Sequence, residues 1–154
     1  MRIALGSDHA GFRYKEAFKA ALGSDGHDVA DFGCDTDEYP VDYTVFSEGV
    51  ARAVAERRAD RGVIVAGSGN GEAMVANKIH GVRASVCNDL YTARLARAHN
   101  DANVLCLGQR VVGDAVALEI LKVWIATPFD GGRHADRLNN LTALEERLKK
   151  EYGA

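Results

Sequence analysis

The sequence lacks long hydrophobic runs and an excess of positive charge. Its longest apolar stretches, such as residues 63–66 and 104–107, are far shorter than the ~20 residues that a membrane span requires. The formal net charge is −3, so no general basic field exists to attract nucleic acid. We therefore expect neither a membrane nor a nucleic acid as partner, and an anionic ligand must be held by locally clustered cations.

Cysteine is also scarce. Cys34, Cys87 and Cys106 show no CxxC spacing, which fits reduced, buried thiols better than a disulfide framework or a zinc site. The chain starts on a short apolar run without the charged-then-apolar pattern of a signal peptide, and a cytoplasmic location is expected. With 154 residues, 47% of them hydrophobic, it suits one globular domain over residues 1–154.

Short β-rich runs alternate with longer helical patterns along the chain, which is the signature of βαβ units. The pattern predicts strands over residues 2–5, 29–32, 62–66, 82–86 and 104–107. It predicts helices over residues 12–22, 43–58, 90–99, 114–125 and 135–150, and one from the loop after the third strand through Lys78. The predicted fold is α/β: a three-layer α/β/α Rossmann-like domain with a five-stranded parallel sheet and a C-terminal helix.

The predicted C-terminal helix carries a narrow apolar stripe. The stripe consists of Leu138, Leu141, Leu144 and Leu148. A stripe with this spacing can pack on its own domain or on a second subunit.

Reactive or glycine-rich segments follow four of the five predicted strands. They are residues 6–11 (GSDHAG), 67–72 (GSGNGE), 87–89 (CND) and 108–110 (GQR). Ligands of parallel sheets bind beyond the carboxyl ends of the strands, so we expect these segments to converge on one crevice. In residues 67–72, a glycine-rich loop can point backbone N–H groups at an anion, and Glu72 stands where a helix should begin.

The loop at residues 67–72 does not match the common glycine-rich motifs. A P-loop needs Lys-Ser/Thr after its last glycine, and neither residues 6–12 nor residues 67–73 supply it. A dinucleotide fingerprint follows the first strand and ends on glycine or alanine, whereas this loop has Glu72 there. The motif GxSxG fails because Ala66 lies two residues before Ser68. ATP hydrolysis, NAD binding and serine-hydrolase chemistry therefore have little support.

The remaining reactive residues suit proton transfer on a phosphorylated carbonyl compound. Moving a proton between C1 and C2 of a sugar phosphate needs a base, donors for the enediolate oxygen and cations for the phosphate. A glutamate can be that base when burial raises its pKa toward neutrality. The candidates are Glu72, the loop amides with Ser68, the histidines His9, His99 and His134, and the arginines Arg110, Arg133 and Arg137.

Four separated motifs resemble the ribose-5-phosphate isomerase B family, which also includes galactose-6-phosphate and allose-6-phosphate isomerases. They are GSDHAG at 6–11, GSGNGE at 67–72 with ANK at 76–78, ARLARAHNDANVLCLGQRVVG at 93–113, and GGRHADR at 131–137. The resemblance implies an aldose–ketose isomerase that converts ribose 5-phosphate to ribulose 5-phosphate. It leaves open a neighbouring substrate, such as allose 6-phosphate, galactose 6-phosphate or erythrulose 4-phosphate.

The resemblance also implies roles for individual residues. Glu72 would be the proton-shuttling base, since position 66 is Ala instead of the cysteine that other members use. Ser68 and the amides of residues 67–71 would form the anion hole, and His99 would open the furanose ring as general acid. The implied substrate contacts are Asp8, His9, Tyr43, Gly67, Ser68, Gly69, Asn70, Gly71, Asn100, Arg110, Arg133, His134 and Arg137.

The same resemblance implies a homodimer or a tetramer with a shared pocket, in which His99, Asn100 and the arginines reach the Glu72 of the partner chain. No cofactor and no metal are expected, because the sequence shows neither an HxxxH pair nor a carboxylate–histidine cluster. One departure from the family lies at Asp42-Tyr43-Thr44, where the family commonly has Asp-Tyr-Pro.

Each key residue also has a structural interpretation. The helix dipole favours an acid such as Glu72 in a first helical turn, and Asp8 could cap the first helix. His99 could interact with a helix C-terminus, while Arg133 and Arg137, one turn apart, could be surface charges. At the level of function, the same crevice could serve a non-catalytic phosphosugar-binding module.

Overall fold

Five parallel strands form the central layer of the protein. In the computed structural model, which describes residues 1–153, the strands are β1 (Arg2–Ser7), β2 (Asp28–Asp31), β3 (Arg61–Ala66), β4 (Ala84–Val86) and β5 (Val104–Gly108). Their order across the sheet is β2-β1-β3-β5-β4, and all neighbours are parallel. The three central strands are almost entirely buried, which explains why their sequences are continuous apolar runs.

Helices cover both faces of the sheet. They are α1 (Phe12–Ser24), α2 (Tyr43–Ala55), α3 (Asn70–Ala76), α4 (Leu90–Ala98), α5 (Asp114–Ala126) and α6 (Arg133–Tyr152). One apolar cluster joins the sheet to α1, α4 and α5 and includes Phe18 and Trp124. A second cluster joins it to α2 and α3 and includes Val50 and Ala73. This arrangement confirms the predicted three-layer α/β/α fold.

Local backbone geometry explains where element bounds differ from the prediction. Helix α2 ends at Ala55 instead of residue 58, because Arg57 adopts the left-handed conformation with φ 58°. Strand β4 starts at Ala84 instead of residue 82, because the N–H of Val82 donates to the carbonyl of Ile79 in a turn. Among the described residues, no helix is both long and apolar enough to cross a membrane.

Helix α6 makes little contact with the rest of the chain. His134 is its one buried residue among those the structure describes. Leu141, Leu144 and Leu148 of the predicted stripe remain 42%, 36% and 40% exposed. Leu138 is half-buried, so the stripe is only partly covered in a single chain.

Candidate active site

The loops after β1, β3 and β5 meet at one cleft of about 420 Å³. The cleft is lined by Asp8, His9, Ala10, Tyr43, Gly67, Ser68, Gly71, Glu72, Arg110 and Val111. Residues 87–89 are not part of this lining, since they follow β4 at the edge of the sheet. The predicted convergence is thus correct for three loops and wrong for the fourth.

Glycines allow backbone segments to approach each other closely beneath this cleft. A Cβ on Gly11 would lie 2.1 Å from the carbonyl oxygen of Val65, and one on Gly108 would lie 2.7 Å from the Cα of Ser68. Gly69 has φ +82°, a left-handed conformation that favours glycine. The glycine-rich loop is consequently held in place by main-chain packing.

Ser68 is oriented by the start of helix α3. Its Oγ accepts a hydrogen bond from the N–H of Asn70 at 3.3 Å, which leaves the hydroxyl hydrogen available to a ligand. Gly69 is the N-cap of α3, so N–H groups of the first turn have no intrahelical carbonyl partner. The loop therefore offers donors next to Glu72, while the side chain of Asn70 is exposed and lies outside the cleft lining.

Glu72 is a buried carboxyl group with incomplete hydrogen bonding. Glu72 is only 5% exposed, and its Oε2 has no hydrogen-bond partner. Burial raises the pKa of Glu72, and the nearby charge of Asp8 raises it further, although the backbone N–H groups of Glu72 and Gly69 act in the opposite direction. A carboxyl group in this state is suited to taking up and returning a proton.

Asp8 and His9 combine structural contacts with positions on the cleft. Oδ1 of Asp8 accepts from the N–H groups of Ala10 at 3.0 Å and Gly11 at 3.1 Å. Asp8 therefore stabilises the turn before α1 but does not cap the helix, whose N-cap is Gly11. Its Oδ2 lies 3.9 Å from Nδ1 of His9. That Nδ1 accepts from the backbone N–H of Val41 at 3.2 Å.

Tyr43 and Arg110 contact the glycine-rich loop from two sides. A Cβ placed on Gly71 would lie 2.9 Å from the ring of Tyr43, and one on Gly67 would lie 3.6 Å from Nη1 of Arg110. The structure therefore places Tyr43 on the cleft despite the altered sequence around it. Arg110 lies in the cleft of its own chain, so the expectation that every arginine comes from a partner chain does not fit this residue.

A second group of predicted residues lies where α4 ends and α6 begins. We call it the histidine–arginine cluster; it consists of His99, Asn100, Arg133, His134 and Arg137. None of its members belongs to the lining of the Glu72 cleft within the chain. The sequence-predicted residues are therefore divided between two places.

Two imidazole rings form the centre of the histidine–arginine cluster. His99 is the C-cap of α4, the position that its structural interpretation required, and its ring stacks on that of His134 at 4.1 Å with an interplanar angle of 9°. Asp130 joins the pair: its N–H donates to the carbonyl of Ala98 at 2.9 Å, and its Oδ2 lies 4.0 Å from Nε2 of His99. Buried His134 thus supports the more exposed ring of His99.

Two arginines hold the turn that presents His99 and Asn100. Asp101 has a positive φ of 43°, and its carboxylate pairs with Arg83 and with Arg97 at 2.9 Å each. Nε of Arg83 also donates to the carbonyl of Asn100 at 3.1 Å. The turn is therefore held by charged contacts on both sides.

The cluster suits an anion better than a metal ion. Ligand atoms of His99, Asp130 and His134 lie within 4.8 Å of one another, so a carboxylate–histidine cluster exists that the sequence analysis did not foresee. However, in-plane lone pairs of two parallel stacked rings do not point at one metal ion. Burial lowers the pKa of His134, and the nearby charges of His99, Arg133 and Arg137 lower it further, against the opposing charge of Asp130. The two arginines favour an anion over a cation at this place.

Four contributors were missed by sequence reasoning. Ala10 and Val111 line the cleft, and both lie within the family motifs at 6–11 and 93–113 without having been assigned a role. Asp130 lies just before the glycine pair of the last motif, a position that could have drawn attention to it. Val41 acts through its backbone N–H, which no side-chain pattern reveals.

Comparisons with known proteins agree on one family. The family model described as Ribose/Galactose Isomerase matches residues 3–141. The chain is 42% identical over 146 residues to ribose-5-phosphate isomerase B of Escherichia coli, covering 95% of this chain and 97% of that protein. It is 35% identical over 152 residues to D-erythrulose-4-phosphate isomerase of Pectobacterium atrosepticum, covering 98% of this chain and 99% of that protein.

A solved structure extends the match to three dimensions. Ribose-5-phosphate isomerase B of Clostridium thermocellum superposes with a TM-score of 0.93 at 44% identity, covering 96% of this chain and 99% of that one. Fold and sequence lead to the same assignment. The chain belongs to the ribose/galactose isomerase family and is a sugar phosphate isomerase.

Proposed function

We propose that this protein interconverts D-ribose 5-phosphate and D-ribulose 5-phosphate through an enediolate, with Glu72 as the base. The observation that carries the proposal is the buried carboxyl group of Glu72, whose Oε2 lacks a partner beside the glycine-rich loop. The relative named ribose-5-phosphate isomerase B, at 42% identity, supports the five-carbon substrate. The single domain over residues 1–154 and the cytoplasmic location belong to the same proposal.

Proton transfer follows from the position of Glu72. In the open-chain aldose, Glu72 removes the proton from C2, the C–H electron pair forms the C1=C2 bond, and the π pair of the C1 carbonyl moves to O1 to give the enediolate. The hydroxyl of Ser68 and those amides of residues 67–71 that are not already bonded to Ser68 or Glu72 stabilise the negative oxygen. The proton of the C2 hydroxyl passes to O1, Glu72 returns its proton to C1 through the electron pair of the C1=C2 bond, and O2 becomes the carbonyl oxygen of the ketose. A raised pKa suits this cycle, because the same group must both accept and release the proton near neutral pH.

The histidine–arginine cluster completes the cleft of a partner chain in the proposed homodimer. Two observations support this arrangement: the cluster lies outside the Glu72 cleft of its own chain, and the leucine stripe of α6 is only partly covered. His99 would then protonate the ring oxygen and open the furanose. Arg133, His134 and Arg137 would bind the phosphate together with Arg110.

Mixing two inactive variants tests the shared site. In a homodimer, a chain with Glu72→Gln paired with a chain with His99→Asn has one site with both defects and one site with neither. Random mixing of equal amounts should therefore restore about a quarter of the sites, as expected for a symmetric dimer. A mixture that stays inactive after subunit exchange would show that each chain builds its site alone.

Isotope exchange tests the reaction itself. Ribose 5-phosphate incubated with the protein in heavy water should gain deuterium at C2. A module that only binds phosphosugars would leave the substrate unlabelled, and that result would refute the proposed reaction.

The identity of the substrate needs a direct comparison of rates. A relative at 35% identity is named D-erythrulose-4-phosphate isomerase, so a four-carbon substrate is the second candidate. Initial rates on the phosphates of ribose, allose, galactose and erythrulose should be highest for ribose 5-phosphate. A higher kcat/KM on another member of this set would replace the proposed substrate and leave the mechanism in place.

A further inference from the structure

His9 is held by a backbone group of the loop that precedes α2. Its Nδ1 accepts a hydrogen bond from the N–H of Val41 at 3.2 Å. Because a backbone N–H can only donate, Nδ1 carries no hydrogen in this arrangement. A neutral imidazole must then carry its hydrogen on Nε2.

We propose that the N–H of Val41 fixes His9 as the Nε2–H tautomer, so that His9 is a hydrogen-bond donor to a sugar-phosphate oxygen and not a second base. The identity of that oxygen rests on the proposed function, whereas the tautomer does not. Val41 is accordingly a positioning residue that acts through its main chain.

The segment that carries Val41 is anchored at both ends. At one end, Nζ of the buried Lys15 donates to the carbonyl of Cys34 at 2.8 Å. At the other end, Asp42 caps helix α2 by accepting from the N–H of Thr44 at 2.9 Å. Val41 directly precedes this cap, so its N–H keeps a defined direction relative to His9.

The surroundings of His9 favour this tautomer over its alternative. A hydrogen on Nδ1 would occupy the direction now filled by the N–H of Val41, and Oδ2 of Asp8 offers it no acceptor because it lies 3.9 Å away, beyond hydrogen-bond distance. That alternative would also leave the N–H of Val41 without its acceptor. The other titratable or charged groups on the cleft are Glu72, Tyr43 and Arg110.

This assignment separates two roles within one cleft. Glu72 has an oxygen without a partner and can take a proton, whereas His9 has its acceptor nitrogen occupied. Nε2–H can therefore hold a substrate oxygen without competing for the proton that moves between carbons. A neutral donor also does not need to be protonated before it binds a phosphate or hydroxyl oxygen.

Nitrogen NMR on the ¹⁵N-histidine-labelled full-length protein measures the tautomer directly. We expect the His9 signals, identified by their loss in His9→Asn, to show an unprotonated Nδ1 and a protonated Nε2 at neutral pH. A wild-type spectrum with the hydrogen on Nδ1 would overturn the inference. This result needs no substrate, so it is independent of whether the protein isomerises ribose 5-phosphate.

A matched pair of variants tests the role of the amide. Val41→Pro removes the N–H, whereas Val41→Ala keeps it and serves as control. Val41→Pro should populate the Nδ1–H tautomer and raise KM about fivefold, the equivalent of one net hydrogen bond, with kcat nearly unchanged. Val41→Ala should match the wild type in both measurements. Val41→Pro with a wild-type His9 spectrum would refute the role of Val41.

Circular dichroism shows whether Val41→Pro is folded. If it is not folded, the wild-type spectrum decides the tautomer alone. An absence of isomerase activity in the wild type would refute the proposed function and leave the tautomer assignment standing. An active enzyme with the opposite tautomer would refute only the present inference.

Discussion

Replacing Glu72 by glutamine separates chemistry from binding and folding. Gln has nearly the same shape as Glu but cannot take a proton at neutral pH. It keeps hydrogen-bonding atoms for the backbone N–H groups that contact the carboxylate. The arginines proposed to hold the phosphate are unchanged, so phosphate affinity should remain close to that of the wild type.

The expected loss of activity follows from the role of a base. A positioned general base contributes about 10²- to 10⁴-fold to a rate, which corresponds to about 3 to 5 kcal/mol in the activation barrier. We therefore expect Glu72→Gln to reduce kcat and C2 deuterium exchange by about 10²- to 10⁴-fold, with little change in inhibition by inorganic phosphate.

The stability of Glu72→Gln should not fall together with its activity. Burial raises the pKa of Glu72, so the fold favours the protonated form. The contribution of Glu72 to the free energy of unfolding is fully present below the pKa that Glu72 has in the unfolded chain. It is lost as pH rises through the higher pKa that Glu72 has in the folded protein. Glu72→Gln stays neutral and avoids this loss, so at pH 7 it should unfold at a temperature equal to or above that of the wild type.

Three measurements decide this prediction. They are C2 exchange in heavy water, inhibition by phosphate, and the thermal unfolding midpoint at pH 4 and pH 7. Glu119→Gln, which changes an exposed glutamate on α5, is the control and should match the wild type throughout. A Glu72→Gln protein that retains wild-type exchange would refute the assignment of the base.

Three further changes test the site and its supports. His99→Asn should reduce turnover of cyclic substrate more than that of a linear analogue, and equal losses on both would contradict its role in ring opening. Gly71→Ala places a Cβ 2.9 Å from the ring of Tyr43 and should raise KM several-fold by displacing that ring. Its control, Gly113→Ala, places a Cβ where no atom lies within 4 Å and should leave KM unchanged. Gly11→Ala places a Cβ 2.1 Å from a strand carbonyl and should lower the free energy of unfolding by about 1 to 3 kcal/mol or more. Its control is Gly23→Ala, where the added Cβ lies in open space within a helix. This control should leave the free energy of unfolding unchanged or raise it by up to about 1 kcal/mol. Denaturant unfolding measures the stability of Gly11→Ala and Gly23→Ala. Equal stabilities would show that the close contact of Gly11 with the strand does not require glycine.

The central sheet was predictable because its strands are marked by composition. β1, β3 and β5 are buried on both faces, so each appears in the sequence as an unbroken apolar run between turn residues. The end of α2 was not predictable to the residue, because the left-handed Arg57 has no glycine to mark it. Residues 56–58 are Glu-Arg-Arg, which favour a helix, so the backbone geometry and not the composition stops it.

The candidate site was predictable where its residues are neighbours in the sequence. Glu72 and its loop form one continuous motif, and the structure shows the burial that such a base requires. The stacking of His99 on His134 depends on how α4 and α6 meet, 35 positions apart in the sequence. The contact between Val41 and His9 uses a main-chain N–H, which every residue except proline has. The residue type at position 41 therefore gives no sign of this contact.

The close packing of main chain under the cleft has a consequence for how this protein can change over time. The floor beneath the cleft is built from main chain packed on main chain, at Gly11, Gly69 and Gly108. Nothing can be trimmed from a residue that has no side chain, so every mutation there adds bulk. Adaptation to a longer or shorter sugar is therefore open mainly to the rim, at residues such as Tyr43 and Val111, and closed at the floor.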